Sequence, residues 1–446
     1  MFLVQKGMLL AFPDVELPPF QRIAPHLATA LKHDWGQEII YLFYSSVRPG
    51  IAREPRHYVA QALHCHHARA GSNWVRVASL DASAFEDGEE YNTLIACLAR
   101  LGRETALGSG PFERLGWFPE VTAWIDQSIG PFGVHLTGAF HQLNASATFS
   151  LIRFETDGPA VWFKAVGEPN LHELHVSRHL ARFYPDFVPK VLAVREEWNA
   201  WLTVEVQGTH LDENSDLSEW TAVAKTLANL QILSMGDTLH LIEVGCKDVR
   251  VNALVDCVDP LLDKMAHLMG QQTKQLPVPL SCKELSVLRT QLRVLLSAYS
   301  NLDIPNTLGH LDFNPGNIIT SRDHCLFLDW ADGCVGPPFP TFEYLLERLR
   351  RFRPSDESLK RRLLSEYSEI WGSFLGPREL TEALALTPLL AVFTFAVAQN
   401  IWHDPDLLRE PNTVKLLRSL GRHMKLKADH MSARRLNSAT SPLEVV

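Results

Sequence analysis

The chain has 446 residues, 46% of them hydrophobic, which is enough for two or three packed domains because single cores stop growing near ~250–300 residues. A formal charge of −9 supplies no basic field for a phosphate backbone, so no nucleic-acid partner is expected, whereas a cationic small molecule is tolerated. Seven cysteines without a C-x-x-C pair argue against a disulfide framework and fit a reducing, cytoplasmic setting.

Residues 1–6 (MFLVQK) have neither a basic leader nor a long apolar core, so no signal peptide is expected. Short β-like runs follow at residues 8–12 (MLLAF), 38–46 (EIIYLFYSS), 57–65 (HYVAQALHC) and 73–80 (NWVRVASL). Residues 23–36 (IAPHLATALKHDWG) have helical apolar spacing and end at a glycine. This pattern predicts an α+β accessory or dimerisation domain over residues 1–116, through which a homodimer would form. Residues 107–119 (LGSGPFERLGWFP) are rich in Gly and Pro, and with the short helix after them they predict a connector over residues 117–137.

From residue 138 the pattern turns β again. Two strands joined at Asp157-Gly158, a helix (HELHVSRHLARF) and a further hairpin (VLAVREEWNAWLTVEV) predict a small β-rich lobe over residues 138–210. Residues 211–430 predict a large, mainly helical lobe. Its richest apolar stretch, residues 384–398, contains Thr387, Pro388 and Thr394 and falls short of the ~18–20 residues a bilayer requires, so a buried helix and no membrane partner are expected. Residues 431–446 are polar and aperiodic and are expected to be disordered.

The chemistry concentrates at residues 309–330. Ile318-Ile319-Thr320 and Cys325-Leu326-Phe327-Leu328 predict the two strands of a hairpin turning at residues 321–324 (SRDH). Antiparallel pairing is expected to bring Asn317 beside Asp329. A carboxamide and a carboxylate together suit a hard divalent cation such as Mg2+, with phosphate oxygens as further ligands. Asp312 lies upstream on a loop broken by Pro315 and Gly316 and is free to point toward the same cavity.

The sequence HLDFNPGN followed by FLDW, an H-x-D-x-x-x-x-N pattern and then an apolar strand ending in Asp, resembles the aminoglycoside phosphotransferase and choline kinase family. The resemblance implies an α+β, bilobal protein-kinase-like fold, here preceded by the N-terminal domain. It also implies transfer of the γ-phosphoryl group of ATP to a hydroxyl of a small molecule, with nucleotide between the lobes. Asp312 would be the catalytic base, His310 would brace the catalytic loop, and Asn317 and Asp329 would hold Mg2+. Lys164, ending the strand AVWFK, would hold the α- and β-phosphates, oriented by Glu173 or, alternatively, Glu168. The loop LNASAT stands where protein kinases carry a Gly-rich motif, and Ser146 in it could donate a hydrogen bond to phosphate. Glu205 falls at the interlobe hinge, where the backbone would pair with the adenine edge.

The chain departs from the family pattern in three places. Leu311 follows His310 where glycine is common, Thr341 stands where many members carry a structural Asp, and Asp329 continues as Trp-Ala instead of Phe-Gly. The third departure excludes a typical protein kinase. Asp332, Glu343 and Glu347 are candidates for an acidic pocket that would take an amino sugar, an amino alcohol or a choline-like cation; an exposed charged helix is the plainer reading. His172, His175 and His179 share one helical face and His64, Cys65, His66 and His67 cluster, so zinc is one reading of each group and solvated polar surface the other. GTP in place of ATP is left open. The alternative from another functional class is a nucleotide-binding pseudoenzyme acting as a regulatory or interaction protein.

Overall fold

The computed structural model describes residues 2–5, 8–10, 15, 22–46, 56–63, 74–85, 88–101, 110–146, 148–212 and 214–440. The chain divides into two compact units, Met1–Leu174 with Pro189–Val206, and His175–Val188 with Gln207–Val446.

The first unit contains two five-stranded sheets. One runs in the order Ile39–Ser46, Arg56–Ala62, Phe2–Gln5, Met8–Leu10, Trp74–Arg76, with a single parallel pair between Phe2–Gln5 and Arg56–Ala62. Successive side chains of a strand face opposite sides, so Ile39 and Tyr41 pack with Ala24, Leu27 and Leu31 of the helix Ile23–Trp35. Ile40 and Leu42 face the other way, toward Leu94, Cys97 and Leu101 of the helix Gly88–Leu101. The helix Ile23–Trp35 stops where its sequence says it should: Gly36 takes a left-handed φ of 64° and its N–H closes onto the last turn.

The second sheet is antiparallel throughout, in the order Leu136–Ala145, Phe149–Thr156, Val161–Val166, Ala200–Val204, Val191–Arg195. Its inner residues Ile152, Phe154, Phe163 and Leu202 join the same core as Ile40, Leu42 and Val59 of the first sheet. The amide of Gln142, 5% exposed, ties the two sheets together. It accepts from the Tyr41 N–H at 2.8 Å and donates to the Tyr41 carbonyl at 2.9 Å. The expected connector is the helix Trp117–Ile129, whose Trp117, Val121, Ile125 and Ile129 are fully buried in that core. Arg195 lies over the Trp198 ring and reaches Glu120 of this helix at 2.6 Å. Residue 116, expected to be a domain boundary, therefore lies inside one compact unit. The sequence reads as two domains here because each sheet is locally regular, while the pairing that unites them is long-range.

The second unit is mainly helical and is built around one large apolar core. Capping boxes Asp216/Glu219 and Ser281/Glu284 start the helices Leu217–Ser234 and Cys282–Ser300. Pro377–Ala398 is, among the described residues, the one helix long and apolar enough to cross a membrane, and two-thirds of its most apolar window is buried. The final helix runs Pro411–Thr440, so residues 431–440 are helical and not disordered as expected; residues 441–446 lie outside the described residues. Two three-stranded sheets complete the unit. One joins Thr209–His210, Ile318–Thr320 and Cys325–Phe327; the other joins Lys247–Asp248, Gly333–Gly336 and Thr307–His310.

Full burial of one large apolar side chain stabilises by about 1.5–3 kcal/mol. Removal of residues 1–116 is accordingly expected to strip Phe112 from Phe163 and Trp198 and to abolish the cooperative thermal transition of the first unit. A soluble fragment melting at the full-length temperature would contradict the shared core.

Candidate active site

The residues singled out in the sequence fall into two groups, one in each unit. In the first, the strand Val161–Val166 carries Lys164 and the helix Glu173–Phe183 begins with Glu173. Their side chains form a short ion pair, with the Glu173 carboxylate 2% exposed and the Lys164 side chain 15%. Glu173, and not Glu168, is therefore the partner. The ammonium also lies 5.6 Å from the Trp201 ring centroid and 5.9 Å from that of Phe149, so it is a cation held at an apolar margin.

Ser146 closes the hairpin between Leu136–Ala145 and Phe149–Thr156: its N–H donates to the Phe149 carbonyl at 2.8 Å, and its hydroxyl accepts from the Thr148 N–H at 3.3 Å. Glu205 follows the strand Ala200–Val204. Its N–H already donates to the Ala160 carbonyl at 2.9 Å, and its carboxylate takes Arg153 in two hydrogen bonds of 2.5 and 2.8 Å. Arg153 holds the Glu205 carboxyl below its ordinary pKa. No sequence signal connects this ion pair, because Arg153 and Glu205 lie far apart in the chain.

In the second unit the hairpin forms as expected, with Ile318 opposite Phe327 and Thr320 opposite Cys325. In this register Asn317 faces Leu328, whose N–H donates to the Asn317 carbonyl at 2.8 Å. Asp329 lies one residue further on and adopts a left-handed backbone, φ 64° and ψ 61°. That conformation is uncommon outside glycine but tolerated by Asp, and it turns the chain sharply at the end of the strand. Asn317 turns its amide nitrogen onto Asp312, donating to its carbonyl at 3.0 Å and to Oδ2 at 3.3 Å. Asp312 and Asn317 are half-buried and Asp329 is exposed.

His310 is the hub of this group. Its ring is 1% exposed, with Nε2 3.0 Å from the Leu328 carbonyl and Nδ1 accepting the Asp312 N–H at 3.2 Å. One nitrogen must donate and the other accept, which is the neutral imidazole with its proton on Nε2. Trp330 packs on the ring at 4.9 Å, itself anchored by an indole N–H to the Phe327 carbonyl. The His310 backbone N–H donates to Thr341 Oγ1 at 3.0 Å, so the hydroxyl fills the position where the resemblance implied a carboxylate. Gly309 permits that approach: a Cβ there would sit 2.8 Å from Thr341 Oγ1.

The candidate acidic pocket is already compensated within the chain. Asp332 pairs with Lys247 at 2.5 Å, Glu343 with Arg350 at 2.7 Å, and Glu347 with Arg350 at 2.8 Å and with Lys427. Burial raises the Glu343 pKa and Arg350 only partly opposes it. Residues 64–67 lie outside the described residues.

Burial lowers the His310 pKa from its ordinary 6.5, although Leu328 and nearby carboxylates oppose the shift. The unfolded chain therefore takes up the proton first. The stability that His310 contributes is complete above pH ~6.5 and is lost as pH falls from there through the lowered folded value. Denaturant unfolding from pH 7.5 to 5 should show that loss. His310→Asn, whose side chain can still accept the Asp312 N–H, should reduce it; an unchanged pH dependence would contradict a buried neutral imidazole.

Residues 168–374 match the model of a family described as the phosphotransferase enzyme family. No curated protein matches the chain. Among solved structures, a choline kinase from Cryptosporidium parvum Iowa II aligns with TM-score 0.51 and 12% identity over 72% of this chain and 99% of its own. A macrolide 2'-phosphotransferase from Brachybacterium faecium aligns with TM-score 0.43 and 16% identity over 68% and 98%. The GDP complex of an aminoglycoside 2'-phosphotransferase-IIIa aligns with TM-score 0.46 and 13% identity over 68% and 98%. Residues 168–374 thus match the phosphotransferase enzyme family, and the chain shares the α+β, protein-kinase-like fold of the choline kinase.

Proposed function

We propose that this protein is a small-molecule phosphotransferase that moves the γ-phosphoryl group of ATP onto a hydroxyl of its acceptor. The observation that carries the reading is the bonded group His310, Asp312 and Asn317, followed at the end of the hairpin by Asp329. A structural turn would not require a buried imidazole to hold an Asp whose carboxylate stays half-open to solvent.

In this reading Asp312 accepts the proton of the acceptor hydroxyl as that oxygen attacks phosphorus. Asn317 commits its amide nitrogen to Asp312, leaving Oδ1 as its ligand atom, and Asp329 adds a carboxylate. This all-oxygen set fits Mg2+, which when bound would neutralise charge on the phosphoryl oxygens. Lys164 takes the α- and β-phosphates while Glu173 fixes its ammonium. Ser146 has its hydroxyl proton to offer a phosphate, and Glu205 would meet adenine through its carbonyl because its N–H is engaged. Since Asp332, Glu343 and Glu347 each face a cation of the chain, amine-bearing and uncharged acceptors deserve equal trial. A nucleotide-binding pseudoenzyme would still use Asn317 and Asp329 to hold Mg2+ and nucleotide, but it would have no use for Asp312 as a base.

The test is ADP release from ATP with Mg2+ across amino sugars, amino alcohols and nucleosides. Asp312→Asn should lower turnover on any responsive acceptor by roughly 10²-fold or more and leave nucleotide affinity within a few fold. Near wild-type turnover in this variant would refute the base assignment, and lost nucleotide binding would reassign Asp312 to the metal.

A further inference from the structure

One cluster of titratable side chains in the second unit takes no part in the chemistry above. His179, on the helix Glu173–Phe183, places Nε2 2.6 Å from Asp237 Oδ2, with its side chain 4% exposed. The other oxygen of Asp237 lies 3.6 Å from His240 Nδ1. The two imidazole rings stand 4.5 Å apart at 74° to one another. The nitrogen and oxygen atoms that the three residues offer all lie within 4.8 Å of one another.

Asp237 occupies the N-cap position of the helix Thr238–Glu243 but makes no side-chain capping bond there. An Asp at an N-cap usually contributes ~1 kcal/mol by accepting a backbone N–H. Here the carboxylate forgoes that bond and faces the two imidazoles. Tyr184 donates its hydroxyl to Oδ2 at 3.0 Å and orients the carboxylate from behind.

We infer that His179, Asp237 and His240 form a binding site for a zinc-class divalent cation. Two imidazole nitrogens and one carboxylate oxygen are the donors of a borderline metal, whereas Mg2+ prefers oxygen alone. Ligand atoms ~2.0–2.1 Å from a tetrahedral ion stand roughly 3.3 Å apart, so small side-chain rotations bring all three into the shell. On binding, the ion takes Nε2 of the neutral ring in place of the proton facing Asp237; that proton moves to Nδ1, and one leaves to solvent only from a doubly protonated ring. The fourth position opens into a cleft lined by His175, Arg178, Arg182 and Glu243. The two arginines favour water ionised to hydroxide, or another small anion, in that position.

Of the three histidines expected along one helical face, His172 precedes the helix Glu173–Phe183, and only His179 enters the site. Its partners come from a segment that sequence spacing could not connect to it.

The test is titration of Co2+ as a spectroscopic stand-in, followed by displacement with Zn2+, on full-length protein without a histidine tag or nucleotide. The wild type should bind one equivalent with a visible tetrahedral d–d spectrum. His240→Ala should weaken binding at least tenfold while melting at the wild-type temperature without metal, because the His240 side chain is 52% exposed. His240→Cys should restore binding, and Asp329→Ala should leave it unchanged. No stoichiometric uptake, or equal affinity in His240→Ala, would overturn the assignment.

Discussion

The site in the second unit depends on one buried imidazole. His310 ties the loop carrying Asp312 to the carbonyl just before Asp329, using one ring nitrogen for each. Protonation would turn Nδ1 into a donor facing the Asp312 N–H, also a donor, so the arrangement holds only for the neutral ring. Its surroundings enforce neutrality: Trp330 and Phe313 cover it, and Thr341 holds its backbone. Leaving a buried donor without its acceptor costs about 1–3 kcal/mol, which is why a hydroxyl suffices at position 341 but an apolar side chain would not.

The first unit solves a different problem, holding an ammonium at a fixed point beside aromatic rings. Glu173 is buried, and a buried carboxylate without a cation costs several kcal/mol. The pair with Lys164 is therefore better understood as positioning than as a source of stability. Loss of either partner leaves the other charge desolvated. Arg153 and Glu205 form another ion pair of this unit, between the strand Phe149–Thr156 and the end of Ala200–Val204, where the hinge was expected.

What could be read from the sequence was what is local. The hairpin at residues 318–327, the helix closed by Gly36 and the strand carrying Lys164 each follow from periodicity and turn chemistry within a few residues, although that strand runs on to Val166 and does not end at Lys164. Asn317 and Asp329 were expected beside one another; the observed register puts Leu328 opposite Asn317 and Asp329 one residue further on. The left-handed turn at Asp329 has no signature in an apolar run. The shared core of the first unit was hidden because it depends on Gln142 meeting Tyr41 across a long stretch of chain. The carboxylates at 332 and 347 looked available for a cationic acceptor because Lys247 and Lys427 reach them through the fold; Arg350, which takes Glu343 and Glu347, is local to their own helix. Residues 431–440 looked structureless because polar composition conceals a helix that continues from a packed one, whose Leu417, Leu420, Met424 and Ala428 are buried.

The most direct measurement of the account is thermal or denaturant unfolding of the full-length protein with ATP, in Mg2+ and in EDTA, beside Asp329→Ala. A ligand that binds only the folded chain adds about 2.7 kcal/mol at a hundredfold excess over its Kd. Mg2+ and ATP together should give a gain of that order, ATP in EDTA a much smaller one, and Asp329→Ala should lose the Mg2+-dependent part. Absence of stabilisation by any nucleotide under any metal condition would contradict the account.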